Sequence, residues 1–211
     1  MNNMEETLNN ILPMEDDRLL SVIQLAKTCN YEAGHTQQVT FLALTLFDEL
    51  SSIHHLGAHE RFWLHCAAIL HDIGWFEGRK NHHKAALRII LSTPLLPFDS
   101  KERLIIGSVA RYHRKALPDL SHDHYASLAP EEREIVRILA AILRMADGLD
   151  CLHQDRILSL ACKVTKRKVK MICIVQDLIP NEELVSLNKA DLFELVFQRK
   201  LDLEFKKDRH A

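Results

Sequence analysis

A chain of 211 residues, 47% of them apolar, is long enough to bury a real core and fits one domain plus an appendage. Its formal net charge of -2 and pI near 6.7 give no electrostatic footprint for duplex nucleic acid, although local basic patches remain able to meet phosphate groups. No run reaches the ~20 apolar residues of a membrane span. The opening stretch MNNMEETLNNILPMEDD is acidic and polar, not a basic segment followed by an apolar one, so a cytoplasmic protein is expected.

From about residue 15 to residue 157 apolar residues recur at spacings of three and four, which predicts some six helices. The punctuation is Gly34, Gly57, Gly74 and Gly78, then Pro94, Pro97, Pro118 and Pro130. Beyond residue 157 the texture changes to ILSLACKVTKRKVKMICIV, two β-branched-rich runs around a basic turn. A helical NKADLFELVFQRK and an alternating LDLEFKK follow. The expected fold is mainly α: a helical bundle over residues 1–157, then a small β-β-α-β unit over residues 158–211. Cys29, Cys66, Cys151, Cys162 and Cys173 form no CxxC pair, which argues against a thiolate zinc site or a disulfide framework.

Several polar residues share a helix face with apolar ones. His35 is followed by Val39, Leu42 and Ala43 on its face, and His71 is preceded by Trp63, Leu64, Ala67 and Ala68. His83 has Ala86, Leu87 and Ile90, His113 has Ile105, Ile106, Val109 and Ala110, and Asp147 has Leu139, Ala140 and Leu143. His82 has Ala85, Ala86 and Ile89 on its own face; of the two neighbours, His83 is preferred.

A single histidine on such a face is ordinarily a satisfied core residue. An unpaired buried carboxylate is costly, however, and a buried imidazole needs partners for both nitrogens. His71 and Asp72 stand side by side, and the pattern recurs on several helices, so one shared centre explains them more economically than separate accidents. Imidazole nitrogens with carboxylate oxygens suit Mn, Fe, Zn, Ni or Co rather than a thiophilic ion. His54, His55, His59, His122, His124 and His210 lie in polar stretches and are expected to be solvated; His65 and His153 are left open.

The set His35, His71 with Asp72, and Asp147 resembles the HD superfamily of metal-dependent phosphohydrolases. The stretches NHHKAALRIILSTPLLPFDSKERLIIGSVARYHRKALP and LAAILRMADGLDCLHQDRI resemble, more specifically, the helical C-terminal region of the exopolyphosphatase and guanosine pentaphosphate phosphatase family. The likeness runs over about residues 15 to 211. In that family polyphosphate cleavage belongs to N-terminal actin-like domains with glycine-rich loops. This chain has six glycines and no such loop, so the resemblance does not carry that activity over. After Asp72 the chain reads IGWFEGRKNHHK, without the Glu-Asp pair of guanosine tetraphosphate hydrolases or the Gly-Tyr-Pro of cyclic-dinucleotide phosphodiesterases.

The resemblance implies a phosphohydrolase holding one or two divalent ions (Mn, Fe, Ni, Co, Zn or Mg) with His35, His71, Asp72 and Asp147. His83 and His113 would complete a second ion's site, with Asp72 bridging, or donate to phosphate. Arg114 and Lys115 follow His113 directly and are candidate phosphate donors; Arg144, Arg79, Lys80 and Lys84 are weaker ones. The expected ligand is a phosphorylated small molecule, a nucleotide or polyphosphate, and no membrane partner is expected. The rival reading is a non-catalytic regulatory module that binds such a ligand; a helical unit serving as a homodimer interface around a structural metal is a third. The C-terminal unit carries no catalytic constellation, and its TKRKVK stretch reads as a solvated edge.

Overall fold

The computed structural model describes residues 17–178 and 188–208. The N-terminal acidic stretch up to residue 16 and His210 lie outside the described residues. The chain forms α1 (Asp17–Thr28), α2 (Ala33–Glu49), the short α3 (Ser51–His54), α4 (Ala58–Leu70) and a 3-10 turn (Ile73–Glu77). Next come α5 (His82–Ser92), α6 (Ser100–Arg111), the short α7 (Asp123–Ala126) and α8 (Pro130–Leu149). The C-terminal unit is β1 (Ile157–Val164), β2 (Lys168–Val175), α9 (Asp191–Phe197) and β3 (Lys200–Lys207). A helical bundle followed by a β-β-α-β unit is therefore what the chain builds.

The long helices start where their sequences supply local partners. Glu60, Glu102 and Glu132 each occupy the third helical position of α4, α6 and α8 and accept the N–H of Gly57, Asp99 and Ala129. That bond satisfies a group the helix itself leaves unpaired. Asp99 returns the bond from Glu102 N–H, and Pro130 occupies the first turn of α8, where no N–H is missed.

Helices α2, α4, α6 and α8 pack on one another around Val39, Leu42, Leu64, Ala67, Ile105, Val109, Leu139 and Leu143, all fully buried. Burial of a Leu or Ile side chain is worth about 1.5–3 kcal/mol, so this shared apolar interior fixes how the four helices align. Helix α1 leans on α4, and α5 packs on α6 and on the 3-10 turn. The consequence is geometric: the N-terminal end of α2 and the C-terminal ends of α4, α6 and α8 meet at one end of the bundle.

In the sheet, β2 is central, antiparallel to β1 and parallel to β3. Alternate residues Val169, Met171, Cys173 and Val175 of β2 point inward and are fully buried with Phe193 of α9. On the outer face Lys168 pairs with Asp202 and Lys170 with Glu204. The basic run is thus partly an inter-strand ladder on a central strand rather than a bare edge, because β3 returns beside β2. The unit is docked onto the bundle, β1 against α2 and α9 against α8. Among the described residues no helix is long and apolar enough to cross a membrane.

Candidate metal centre

His71 closes α4 and His113 lies just past α6. Each donates its Nδ1–H to the carbonyl three residues back, Ala68 and Ala110, at 2.7 Å. His82 does the same to Arg79 at 3.0 Å. The last carbonyls of a helix have no intrahelical partner, so a histidine there caps the helix and has its tautomer chosen at once. His35 is held differently: its Nδ1 lies 2.8 Å from Asp150 Oδ2, across 115 residues of sequence. In all four rings the proton is committed at Nδ1, and Nε2 presents a lone pair.

Those four Nε2 atoms converge as two pairs. His35 and His71 approach to 3.4 Å, and His82 and His113 to 3.3 Å. Asp147 Oδ1 lies 3.4 Å from His35 Nε2 and 4.0 Å from His71 Nε2. Asp72 stands between the pairs. Its Oδ2 is 3.6 Å from His71 Nε2 and 3.9 Å from His35 Nε2, and its Oδ1 is 3.0 Å from His82 Nε2 and 3.4 Å from His113 Nε2.

Lone pairs facing lone pairs at this distance suit a cation between them, a metal ion or a shared proton. Two imidazole nitrogens, each ~2.0–2.1 Å from one ion, stand about 3–3.4 Å apart, which matches both separations. Among the described residues Asp72 Oδ1 is buried without a hydrogen-bond partner despite its short distance to His82. A carboxylate oxygen beside a nitrogen that has no proton to give is left in that state, and a divalent ion would satisfy it. His35, His71 and Asp147 make one group able to hold a metal, and Asp72, His82 and His113 make a second.

The electrostatics agree with that chemistry. Burial pushes His71 down to about 4 and His113 well below the ordinary histidine value, so both rings are neutral at physiological pH, the form able to act as a ligand. Burial opposes ionisation of Asp72, and positive charge on the facing imidazoles of His71, His82 and His113 outweighs it and holds the carboxyl well below its usual range; where those rings are neutral, a bound cation would supply that charge. Gly74, in the 3-10 turn after Asp72, makes the arrangement reachable. A Cβ there would meet the His82 carbonyl oxygen at 2.0 Å and the Ala86 nitrogen at 2.7 Å, so only glycine lets the turn lie against the start of α5.

A family model described as Ppx/GppA phosphatase, domain III, matches residues 18–193 of the chain. The chain belongs to that family. This domain III chain is also similar to a guanosine-5'-triphosphate,3'-diphosphate pyrophosphatase of Pseudoalteromonas atlantica, at 28% identity over 152 residues. The match covers 72% of the chain but only 30% of that relative's length. All the residues of the two groups fall inside the matched domain III span.

Within domain III the structure brings together His35, His71, Asp72, Asp147 and His113 from the sequence expectation. It places His82, not His83, with Asp72 and His113. Helix α5 begins at His82, next to Gly74, and this phase turns His82 toward Asp72 while His83 leaves its buried Nδ1 unpartnered. Arg114 reaches the site, with Nη1 3.4 Å from His82 Nε2. Lys115, Arg79, Lys80 and Lys84 are exposed. Arg144 is committed elsewhere, making a two-pronged pair with Asp191 of α9 at 2.8 and 2.9 Å.

Three contributors escape a reading of helix faces. Asp150 orients His35 and also accepts from the backbone N–H of Gln154 and Asp155, which makes it the pivot of the turn after α8. His153 stacks on His35 with ring centroids 3.7 Å apart. Lys189, from the C-terminal unit, forms an ion pair with Asp147. The signal for Asp150 was its place one turn after Asp147 in ADGLD; Lys189 had none. His54, expected in solvent, is buried: it bonds the Phe47 carbonyl at 2.7 Å and accepts the Leu56 N–H at 2.9 Å, tying off the end of α2. His65 is buried, and neither ring nitrogen is bonded among the described residues.

Proposed function

We propose that this domain III chain is a divalent-metal-dependent phosphohydrolase that cleaves a phosphate ester or anhydride of a nucleotide or polyphosphate-like substrate. The observation that carries the reading is the convergence of four Nε2 lone pairs on Asp72, two of them also facing Asp147, with Asp72 Oδ1 without a hydrogen-bond partner among the described residues. His35, His71 and Asp147 would hold one ion, His82 and His113 a second, and Asp72 would face both. A divalent ion held there supplies two things at once, a water of lowered pKa and polarisation of the phosphoryl group. Asp150 keeps the proton of His35 on Nδ1 and so keeps Nε2 available. Arg114 and Lys189 place cationic donors at the rim, where phosphoryl oxygens would accept them.

The similarity of the chain to a third or less of a pyrophosphatase supports a second reading, a module that binds the phosphorylated ligand without cleaving it. One experiment separates the two. Chelator-treated protein is assayed for phosphate release from nucleotides and polyphosphate with Mn, Ni, Co, Zn or Mg restored, beside Asp72→Ala. Turnover that requires metal and vanishes in the variant supports the hydrolase. Metal binding with no release from any substrate favours the binding module, and release that persists in Asp72→Ala rejects the site.

A further inference from the structure

Arg111, at the end of α6, is a buried cation with no anionic partner among the described residues. Its side chain is only 5% exposed, its Nη1 has no hydrogen-bond partner, and it forms no ion pair among the described residues. Among the described residues its compensating contact is weak: the guanidinium lies 5.7 Å from the Tyr112 ring centre. An unpaired buried charge is a severe cost to a fold, and two further orphaned groups share its surroundings. Among the described residues His83 Nδ1 and His124 Nε2 are buried without partners, and the His124 ring lies 5.5 Å from the same Tyr112 ring. After burial itself, the Arg111 guanidinium is the strongest influence holding both of these histidines below their ordinary pKa. Arg114 and Lys115 add positive field at His83, and the carboxylate acting on His124 is that of Asp123.

An unpartnered guanidinium with two unpartnered imidazole nitrogens, each able to carry the ring proton, is the complement of an oxyanion. His83 also adjoins the candidate metal centre. The His83 ring is 6.4 Å from that of His113 and 5.6 Å from that of His82. His124, half-buried, is the most exposed of the three. We propose that His83, Arg111 and His124 form an oxyanion subsite beside the metal centre, which seats a second phosphoryl group of a substrate that carries more than one, as in a phosphate anhydride. The substrate part of this proposal rests on the phosphohydrolase reading above; anion binding by Arg111 does not. An arriving phosphoryl group accepts from Arg111 Nη1, His83 Nδ1 and His124 Nε2, which gives the buried charge its missing partner.

The test is calorimetric titration of the chelator-treated chain with tripolyphosphate and with inorganic phosphate, for wild type, Arg111→Met and Arg111→Lys. Arg111→Met should weaken tripolyphosphate binding by about tenfold or more, the weight of a charge-assisted hydrogen bond, and Arg111→Lys should retain most of it. Arg111→Met should also melt no lower than wild type without ligand, because it removes an unpaired charge at similar volume. Tripolyphosphate binding unchanged in Arg111→Met, or absent in wild type, overturns the subsite. Inorganic phosphate bound as tightly as tripolyphosphate overturns its role as a substrate subsite in favour of a site for the free ion. With metal restored, the kcat/KM ratio of tripolyphosphate to a phosphomonoester should fall in Arg111→Met. Arg111-dependent binding with no turnover of any substrate would leave the subsite standing and reject the hydrolase.

Discussion

His82 Nε2 lies 3.0 Å from Asp72 Oδ1, and the other oxygen of the same carboxylate is 3.6 Å from His71 Nε2. One carboxylate thus addresses two separate groups of donors, and the two adjacent histidines at the start of α5 have different surroundings. His82→Ala should remove the ion of the second group, while His83→Ala should leave metal content as in wild type. Mass spectrometric metal analysis after dialysis against Mn or Zn decides it. Equal loss in both variants would contradict the orientation of α5.

Asp150 is not among the residues facing the centre, yet it sets the His35 tautomer through a 2.8 Å bond. Asp150→Asn should lower metal affinity by about 10–100-fold, the usual effect of disturbing a carboxylate that orients a ligand histidine. Competition with a metallochromic chelator measures it. An unchanged affinity would show that His35 is held by its stacking on His153 alone.

Lys189 sets a positive charge against Asp147, and the lysine stem crosses α8 where Gly148 leaves room, a Cβ there lying 3.0 Å from the Lys189 Cβ. Lys189→Met removes a cation that opposes another cation nearby. Affinity for the divalent ion should rise by about threefold to tenfold, on the scale of a partly screened charge pair, while KM for the phosphorylated substrate rises. Titration calorimetry reads the first and steady-state kinetics the second; weaker metal binding would mean that Lys189 organises Asp147 rather than competing for it.

His65 gives a pH signature away from the metal groups. Burial pushes its pKa down from 6.5 to about 4, with Arg61 adding to the effect, so the folded protein resists protonation that the unfolded chain accepts. Protonation therefore favours the unfolded state. The cost begins as pH falls through 6.5 and is complete below 4, reaching about 3 kcal/mol at ~1.4 kcal/mol per pKa unit. His65→Leu, of similar bulk and without two unbonded nitrogens, should flatten the loss of stability between pH 6.5 and 4 in urea titrations. A variant whose stability falls in parallel with wild type would remove His65 as the cause.

The candidate centre was legible where its geometry is local. Asp72 adjoins His71, and the carbonyls that receive the Nδ1 protons of His71, His82 and His113 lie three residues upstream in each case. Period and polarity alone bring His35 and Asp147 to buried helix faces and His71 and His113 to the buried ends of theirs, because 3.6-residue spacing carries over from sequence to helix. The sheet likewise follows from alternation in KVKMICIV, whose inward residues are Val169, Met171, Cys173 and Val175.

Other choices belonged to the tertiary structure. Whether His82 or His83 enters the centre depends on where α5 begins and on the close approach at Gly74, and both have apolar residues on their own face. The bond from His35 to Asp150 spans 115 residues, and the pairing of Lys189 with Asp147 spans 42. Neither leaves a periodic trace. The isolation of Arg111 is a property of what surrounds it, and a sequence shows only what precedes and follows. The sequence by itself determined the helical bundle, the strand alternation and the ligand types, because these rest on short-range spacing. Which lone pairs face one another, and which buried charge lacks a partner, was decided only when the ends of α2, α4, α6 and α8 packed together.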